Sequence, residues 1–340
     1  MYPKIISRFD LTKVLYESLP SESQAKILTG KRVSGIEVEN DGVKVTCKDG
    51  SSYSGAVIIG ADGAHSIIRS HMRTLALEAK SEEINQENPF LTTYRCLWIR
   101  FPVAISEKIY PGMSSETHSH GTCLQMFVGA DNAVAAIYDT LEKPTRDRLR
   151  FTQADEDAMI ERLGSLPLTE GSGLTIEDVY KGKIQSGMVS LEEGVLEHWS
   201  WGGRVVLVGD AAHKFTPITG AGCNNGIVDV VALANEMYKA FKGAAEASGD
   251  EHATPGRTEL ASAFKAYQNE RLDFVKGQCE QAGRTTATST WSSGVAKIID
   301  RYVLSHKIVQ KQFWGTRVAM NPKFYFANNE ETATGAAVGA

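Results

Sequence analysis

Apolar positions fall at helical spacing almost from the start. In residues 8–19, RFDLTKVLYESL, the positions Phe9, Leu11, Val14, Leu15 and Leu19 recur three and four residues apart. That is the period of one helix face, and Pro20 predicts its stop. The period then shortens to two. Val43, Val45 and Cys47 alternate with Lys44, Thr46 and Lys48 beside the run 33–38, with turn residues at Asn40-Asp41-Gly42 and Asp49-Gly50. A small antiparallel meander is expected. The continuous apolar run 56–60 predicts a strand buried on both faces, and the stretch 75–90 is polar and loop-like. Segments 91–103 and 123–140 read as strands of a second sheet, with a hairpin turn at Gly129–Asn132. Further along, the pattern predicts an acidic helix over 153–163, a strand over 184–190 and a second buried strand over 205–210. A strong helix over 224–241 and mostly helix from 258 to 318 follow. The small polar residues 328–340 are expected to be disordered.

Composition narrows the class. The chain has 340 residues, 42% apolar and 23% charged, with a net charge of −5. That balance excludes a disordered chain and suggests about two domains. A pI near 6.0 without a basic block argues against nucleic acid as a partner. The five cysteines form no CxxC pair, so reduced thiols are expected rather than a zinc site or a disulfide framework. No apolar run reaches the length of a membrane span and the first residues carry no secretory h-region, so a cytoplasmic protein is expected.

Two places could carry chemistry. Each is a short apolar strand ending in Gly and Asp: Ile58-Ile59-Gly60-Ala61-Asp62-Gly63 and Leu207-Val208-Gly209-Asp210. Ligands of open α/β sheets bind at carboxyl ends of strands, and an acid there can bond sugar hydroxyls; ordinary turn chemistry explains each motif taken alone. The second has the stronger setting. Pro217, Gly220, Ala221, Gly222 and Asn224 lead into the helix. Uncapped amides and the helix dipole there favour negative charge, and the glycines admit a flat ring or a phosphate. The plainer reading is an N-cap asparagine after a loop. His118 and His120 form an HxH, a metal pair or, on the balance of the Ser-rich surroundings, a solvated loop. His65 and His213 read as packing or hydrogen-bonding residues. No GxSxG elbow is present.

The segment GADGAHSIIR resembles the "DG" motif of flavin-dependent aromatic hydroxylases, and GDAAHKFTPITGAGCNNGIVD is similar to their "GD" motif. WSWGGRVVLVGDAAH and YQNERLDFV also look like that family, and the wording around His213–Pro217 and Asn224–Ile227 looks most like its fungal paxilline-type branch, which epoxidises prenyl side chains. The resemblance implies an α/β (α+β) fold: an incomplete Rossmann-like FAD-binding domain (1–74 and 200–256), an inserted antiparallel-sheet substrate domain (75–199), C-terminal helices (257–327) and a tail (328–340). It implies FAD as cofactor, NAD(P)H as reductant, and insertion of one oxygen atom from O2 through a flavin C4a-hydroperoxide.

Residue by residue, Arg8 matches an arginine on the FAD pyrophosphate, and Asp62 and Gly63 match the motif linked to FAD and NAD(P)H. Gly209 and Asp210 match the turn whose acid bonds the ribitol or ribose. Pro217 matches a proline with its carbonyl near the flavin, and Gly220, Ala221, Gly222 and Asn224 match the stretch along the isoalloxazine ring. The substrate implied is a small apolar molecule, prenylated or aromatic, with Tyr94, Trp98, Phe101, Phe127 and Tyr138 either lining its pocket or forming plain sheet core. The C-terminal helical part, with Trp291, Tyr302, Phe313 and Trp314, is expected to pack over that sheet, with peripheral membrane contact as the lesser alternative. The family's opening βαβ unit with GxGxxG has no counterpart in this sequence. The reading favoured is a gene-model truncation or shortened isoform. The alternatives to prenyl epoxidation are aromatic-ring hydroxylation and a non-redox remnant that binds or cyclises.

Overall fold

The computed structural model describes residues 6–39 and 41–304. In chain order it holds α1 (Arg8–Glu17), α2 (Ser21–Gln24), β1 (Val33–Val38), β2 (Val43–Cys47), β3 (Ser52–Gly55), β4 (Ile58–Gly60) and α3 (Ile67–Glu78). Next come β5 (Leu91–Pro102), β6 (Ser114–Ser119), β7 (Thr122–Val128), β8 (Asn132–Thr145), α4 (Gln153–Leu163), α5 (Ile176–Lys181) and β9 (Gln185–Val195). Then β10 (Ser200–Trp201), β11 (Val205–Leu207), β12 (His213–Lys214), α6 (Ala221–Ser248), α7 (Arg257–Ser289) and α8 (Gly294–Ile299) lead to a π-helical turn, Asp300–Leu304. The chain divides into two compact units. One takes in the residues up to Lys31, Thr92–Leu191 and Thr286–Tyr302, and the other Arg32–Leu91 and Glu192–Thr285.

In the first unit a sheet runs in the order β9-β5-β8-β7-β6. Alternation decides its two faces. Leu97, Ile99 and Phe101 of β5, Leu124 and Met126 of β7, and Ala135 and Ile137 of β8 share a core with Met159 and Leu163 of α4 and Ile176 and Val179 of α5. Both helices start on reciprocal caps. The Thr152 N–H donates to Asp155 at 2.7 Å, and Thr175 N–H donates to Asp178 at 2.8 Å while Asp178 N–H returns to Thr175 Oγ1 at 3.2 Å. On the opposite face, Cys96 stands across from Tyr138, and Tyr138 across from Cys123. That face is polar and satisfied: Tyr138 donates to Gln125 Oε1 at 2.8 Å, and Gln125 donates to Glu116 at 2.6 Å.

The second unit has its own core, in which Val205, Val206 and Leu207 of β11 meet Ile68 and Met72 of α3, Leu233 of α6, and Leu260, Phe264 and Tyr267 of α7. The meander β1-β2-β3 lies in this unit, as does a sheet of order β10-β11-β4, in which β4 and β11 are parallel with Gly60 opposite Leu207. The turn at Gly129 forms as the sequence predicts, with Gly129 N–H on Asn132 O at 2.9 Å.

Several expectations are corrected. The polar stretch from 75 does not begin a loop, because α3 continues to Glu78 on the buried side chains Ile68, Met72 and Ala76. The strand ending in Gly60 is not buried on both faces. Among the described residues it pairs with β11 alone, and Ile59 is 45% exposed. The helix expected from Asn224 starts at Ala221 with Gly220 as its N-cap, so Asn224 is not the cap but a first-turn residue bonded back to Gly220 O at 3.0 Å. His118 belongs to strand β6 and not to a solvated loop. It is held by Asp300 at 2.9 Å and Glu116 at 3.3 Å. The long helix from 258 breaks after Ser289, and Trp291 takes a left-handed φ of 46° before α8 starts on Ser293. The calls on Phe313, Trp314 and the tail lie outside the described residues.

Candidate functional site

The two Gly-Asp motifs end neighbouring parallel strands. β4 leads to Asp62 and β11 leads to Asp210, and the ladder extends one step further through Val208 N–H on Gly60 O at 3.0 Å. The carboxyl ends therefore lie on one side of one sheet, the placement at which open α/β sheets bind ligands.

The two carboxylates do different work. Asp62 accepts from Ser66 Oγ at 2.5 Å, from Ile67 N–H at 2.7 Å and from Ile68 N–H at 3.1 Å. It closes the N-terminus of α3, where orphan amides need an acceptor. Gly63, in the left-handed region at φ 79°, turns the chain between them. Asp210 is exposed and has no hydrogen bond or ion pair among the described residues. Its carboxylate faces the start of α6, since a methyl added at Gly222 would lie 3.7 Å from Asp210 Oδ1.

The turn carrying Asp210 is tightly made. Gly209 has φ 59°, a conformation open to glycine at little cost, and its Cα packs near Gly226 of α6. Pro217 is exposed at the head of a 3-10 turn, and Gly220 N–H closes that turn on Pro217 O at 2.8 Å. Gly220 then enters α6 at φ 62° with no side-chain cap. The first amides of this 28-residue helix, Ala221 and Gly222 among them, are left with their positive dipole end uncovered. The Thr219 hydroxyl beside them is buried without a partner among the described residues.

An unpaired carboxylate, uncapped amides, an orphaned hydroxyl and a side-chain-free position at 222 fit a sugar alcohol and the electron-rich edge of a flat ring. They fit the ribityl and isoalloxazine parts of a flavin. Asn224 adds an amide in the first turn. Arg8, in contrast, stands exposed on α1 in the other unit.

Sequence reasoning missed the residue that ties the two motifs together. Arg69 of α3 donates through Nη2 to Ala64 O at 2.8 Å and through Nη1 to Ala211 O at 3.0 Å, and it lies over the Phe90 ring at 4.9 Å. Burial pulls its pKa below the ordinary arginine value, opposed by the charges of Asp62 and Glu192. Its one signal in the sequence is an arginine seven residues beyond Asp62.

A family model described as an FAD binding domain matches residues 1–268. This chain belongs to the FAD binding domain family. Its relatives include the FAD-dependent monooxygenase penE of Penicillium thymicola, 31% identical over 318 residues, covering 90% of this chain and 63% of penE. The FAD-dependent monooxygenase BOA8 of Botryotinia fuckeliana is 32% identical over 308 residues, covering 86% of this chain and 37% of BOA8. The chain thus spans less than two thirds of the length of these curated relatives. Among solved structures, FqzB superposes with a TM-score of 0.61 at 18% identity, over 90% of this chain and 69% of FqzB. Klebsiella pneumoniae HpxO, complexed with FAD and uric acid, gives 0.55 at 20% identity, over 86% and 66%. These structures share the fold of this FAD binding domain.

The histidines of the two motifs differ in setting. His65 is exposed, while His213 is fully buried on Asp229 at 2.6 Å. Among the described residues no group of three or more His, Cys, Asp or Glu could hold a metal ion, and no helix is long and apolar enough to cross a membrane.

Proposed function

We propose that this chain works as an FAD-dependent monooxygenase, taking electrons from NAD(P)H and placing one oxygen atom of O2 on a small apolar substrate. The observation that carries the reading is the unpaired Asp210 carboxylate facing the uncapped start of α6. Bound FAD supplies the redox and oxygen-activating chemistry. The protein's part is to hold and orient it. Asp210 would accept from a sugar hydroxyl, the Ala221 and Gly222 amides would donate to the ring edge and stabilise negative charge there, and Gly222 leaves the space a ring needs. Asn224 offers an acceptor beside them. Asp62 and Gly63 shape the neighbouring strand end, and Arg69 fixes that end to the Asp210 loop.

For the substrate, Tyr94, Trp98 and Tyr138 share one sheet face, with Tyr94 and Tyr138 buried in it, so the apolar substrate class rests on the family resemblance. The fungal relatives named FAD-dependent monooxygenases support insertion of an oxygen atom, and the wording around 213–227 supports epoxidation of a prenyl or terpenoid side chain in secondary metabolism. Aromatic-ring hydroxylation uses the same site and differs only in the acceptor carbon.

The test is reconstitution of the purified chain with FAD. Protein-bound flavin absorbance, NAD(P)H oxidation dependent on a prenylated substrate, and a product heavier by one oxygen atom are expected. A product oxidised on an aromatic ring moves the assignment to the hydroxylase. Bound flavin without NAD(P)H oxidation moves it to non-redox chemistry. A chain that takes up no flavin overturns the reading.

A further inference from the structure

Behind the exposed Asp210 lies a buried polar cluster that the site as described does not use. Asp229, on the inner face of α6 and fully buried, is its hub. Its Oδ2 accepts the Gly209 backbone N–H at 3.0 Å and meets His213 Nε2 at 2.6 Å. Its Oδ1 accepts Arg271 Nε of α7 at 2.8 Å. Arg271 Nη2 continues to Asn225 Oδ1 at 2.8 Å, and Asn225 Nδ2 donates to Ala221 O at 3.0 Å in the first turn of α6. Arg271, Asn225 and His213 are all buried. His213 Nδ1 is buried with no partner among the described residues, and its ring lies 5.3 and 5.1 Å, centroid to centroid, from those of Trp199 and Phe215. That assigns the ring proton to Nε2, donating to Asp229.

One oxygen of Asp229 therefore grips both ends of the turn 209–213, its first amide and its last side chain, with Asp210 projecting from between them. Arg271 compensates the buried carboxylate, without which its desolvation would be too costly. The same stretch of α7 reads the strand behind the turn, since Tyr267 OH donates to Leu207 O at 3.2 Å and Gln268 bridges Glu197 O and the Trp199 N–H at 2.7 and 2.9 Å. A buried ion pair is a weak means of stabilising a core. As a clasp that fixes a left-handed glycine and the direction of the next side chain, it has a use.

We infer that Asp229 is a positioning residue for the flavin site: its Oδ2 holds the Gly209 turn so that the Asp210 carboxylate faces Gly222, while Arg271 anchors Asp229 through Oδ1. The flavin part of this inference rests on the function proposed above; the clasp itself is a property of the protein alone.

Two variants separate positioning from stability. In Asp229→Asn the guanidinium of Arg271, which can only donate, holds the amide oxygen on its own side, so the NH2 takes the place of Oδ2 and the Gly209 N–H loses its acceptor with the side-chain volume unchanged. Arg271→Lys keeps a cation beside Asp229 and leaves the Gly209 bond intact. Amide hydrogen exchange is read on the flavin-free full chain, and FAD affinity by fluorescence titration. With Asp229→Asn, Gly209 exchange should quicken about 100-fold beyond any global change, and the FAD Kd should rise about tenfold. With Arg271→Lys, the melting temperature should fall while Gly209 exchange and the FAD Kd stay within about twofold of the parent.

Gly209 exchange that follows only global stability in Asp229→Asn overturns the inference, and so does an Arg271→Lys variant that matches Asp229→Asn in both readouts. If the parent takes up no flavin, the functional reading fails, and the exchange comparison still decides the clasp. If Asp229→Asn does not fold, the Gly209 amide of the parent decides it: protection near the global unfolding limit supports the clasp, and exchange at the rate of an unbonded turn overturns it.

Discussion

Arg69 joins the loop at Ala64 to that at Ala211, 142 positions beyond Arg69 in sequence, so its removal should loosen both strand ends at once. The perturbation is Arg69→Met, which keeps the apolar stem and deletes the guanidinium. The two hydrogen bonds to Ala64 O and Ala211 O come from a charged donor, worth about 1.5–3 kcal/mol each where buried. Arg69 is only partly buried, so solvent screening reduces that, and the carbonyls can recover some bonding to water. The cation over Phe90 contributes about 0.5–1 kcal/mol. A net loss of about 3 kcal/mol follows, which for a unit of this size lowers the melting temperature by about 6–12 °C. Arg69→Lys should recover about half, since one ammonium reaches one carbonyl and lacks the planar fork. The assay is chemical denaturation followed by tryptophan fluorescence, together with FAD titration of each variant. If Arg69→Met stays within about 0.5 kcal/mol of the parent and binds FAD as tightly, the two strand ends are not coupled through this residue and the reasoning fails.

Further outcomes follow from the other unit and from the thiols. Asp139 is buried and accepts Arg95 Nε at 2.8 Å and Arg162 Nη2 at 2.6 Å; Asp139→Asn should cost about 2–4 kcal/mol, read by urea denaturation, and a neutral result would mean that the pair is idle. His118 is opposed by burial, yet its bonds and charges from Glu116 and Asp300 raise its pKa above the ordinary 6.5, while burial of Glu116 is outweighed by His118 and Gln125, which lower it below the ordinary 4.5. The histidine's contribution is complete below pH 6.5 and lost as pH rises through its raised value; the glutamate's is present above 4.5 and lost as pH falls through its lowered one. The attachment of the turn at Asp300 to β6 should therefore be strongest between those two limits, and NMR titration showing His118 with a pKa below 6.5 would refute this. Burial pushes the thiols of Cys96 and Cys279 up to about 12 and about 11, and Cys223 is exposed; alkylation at mild pH with mass-spectrometric readout should label Cys223 first, and fast labelling of Cys96 would show the sheet face to be open.

Much of this architecture can be read from the chain because its elements are locally encoded. The period-two run at 43–47 needs only alternate burial to become a strand, the segment 91–103 reads as one from its own residues, and the apolar runs ending in Gly-Asp need only a parallel partner to bring Asp62 and Asp210 side by side. What escapes the sequence depends on distance along the chain. Nothing near Arg69 points to Ala211, and nothing near Arg271 points to Gly209. Asp229 did leave a trace, as a charged residue on the inner face of a helix four positions after Asn225, but its partner lies on another helix. Asp62 looks equivalent to Asp210 in the motif and is not, because Ser66 and the α3 amides engage its carboxylate. The exposure of Ile59 likewise depends on which strand lies next to β4, and a hydrophobic pattern carries no such information.

The central claim is that the space above Asp210 at the start of α6 belongs to a flavin. Gly222→Ala tests it most directly, because the added methyl meets Asp210 Oδ1 at 3.7 Å and Phe215 at 4.0 Å, contacts the protein itself tolerates. Replacing a helical glycine by alanine should leave the fold as stable as before or more so by about 0.5–1 kcal/mol. FAD affinity measured by titration of the same variant should nonetheless fall tenfold or more, about 1.4 kcal/mol. A variant of equal stability that binds FAD as tightly as the parent would place the flavin elsewhere and contradict the account.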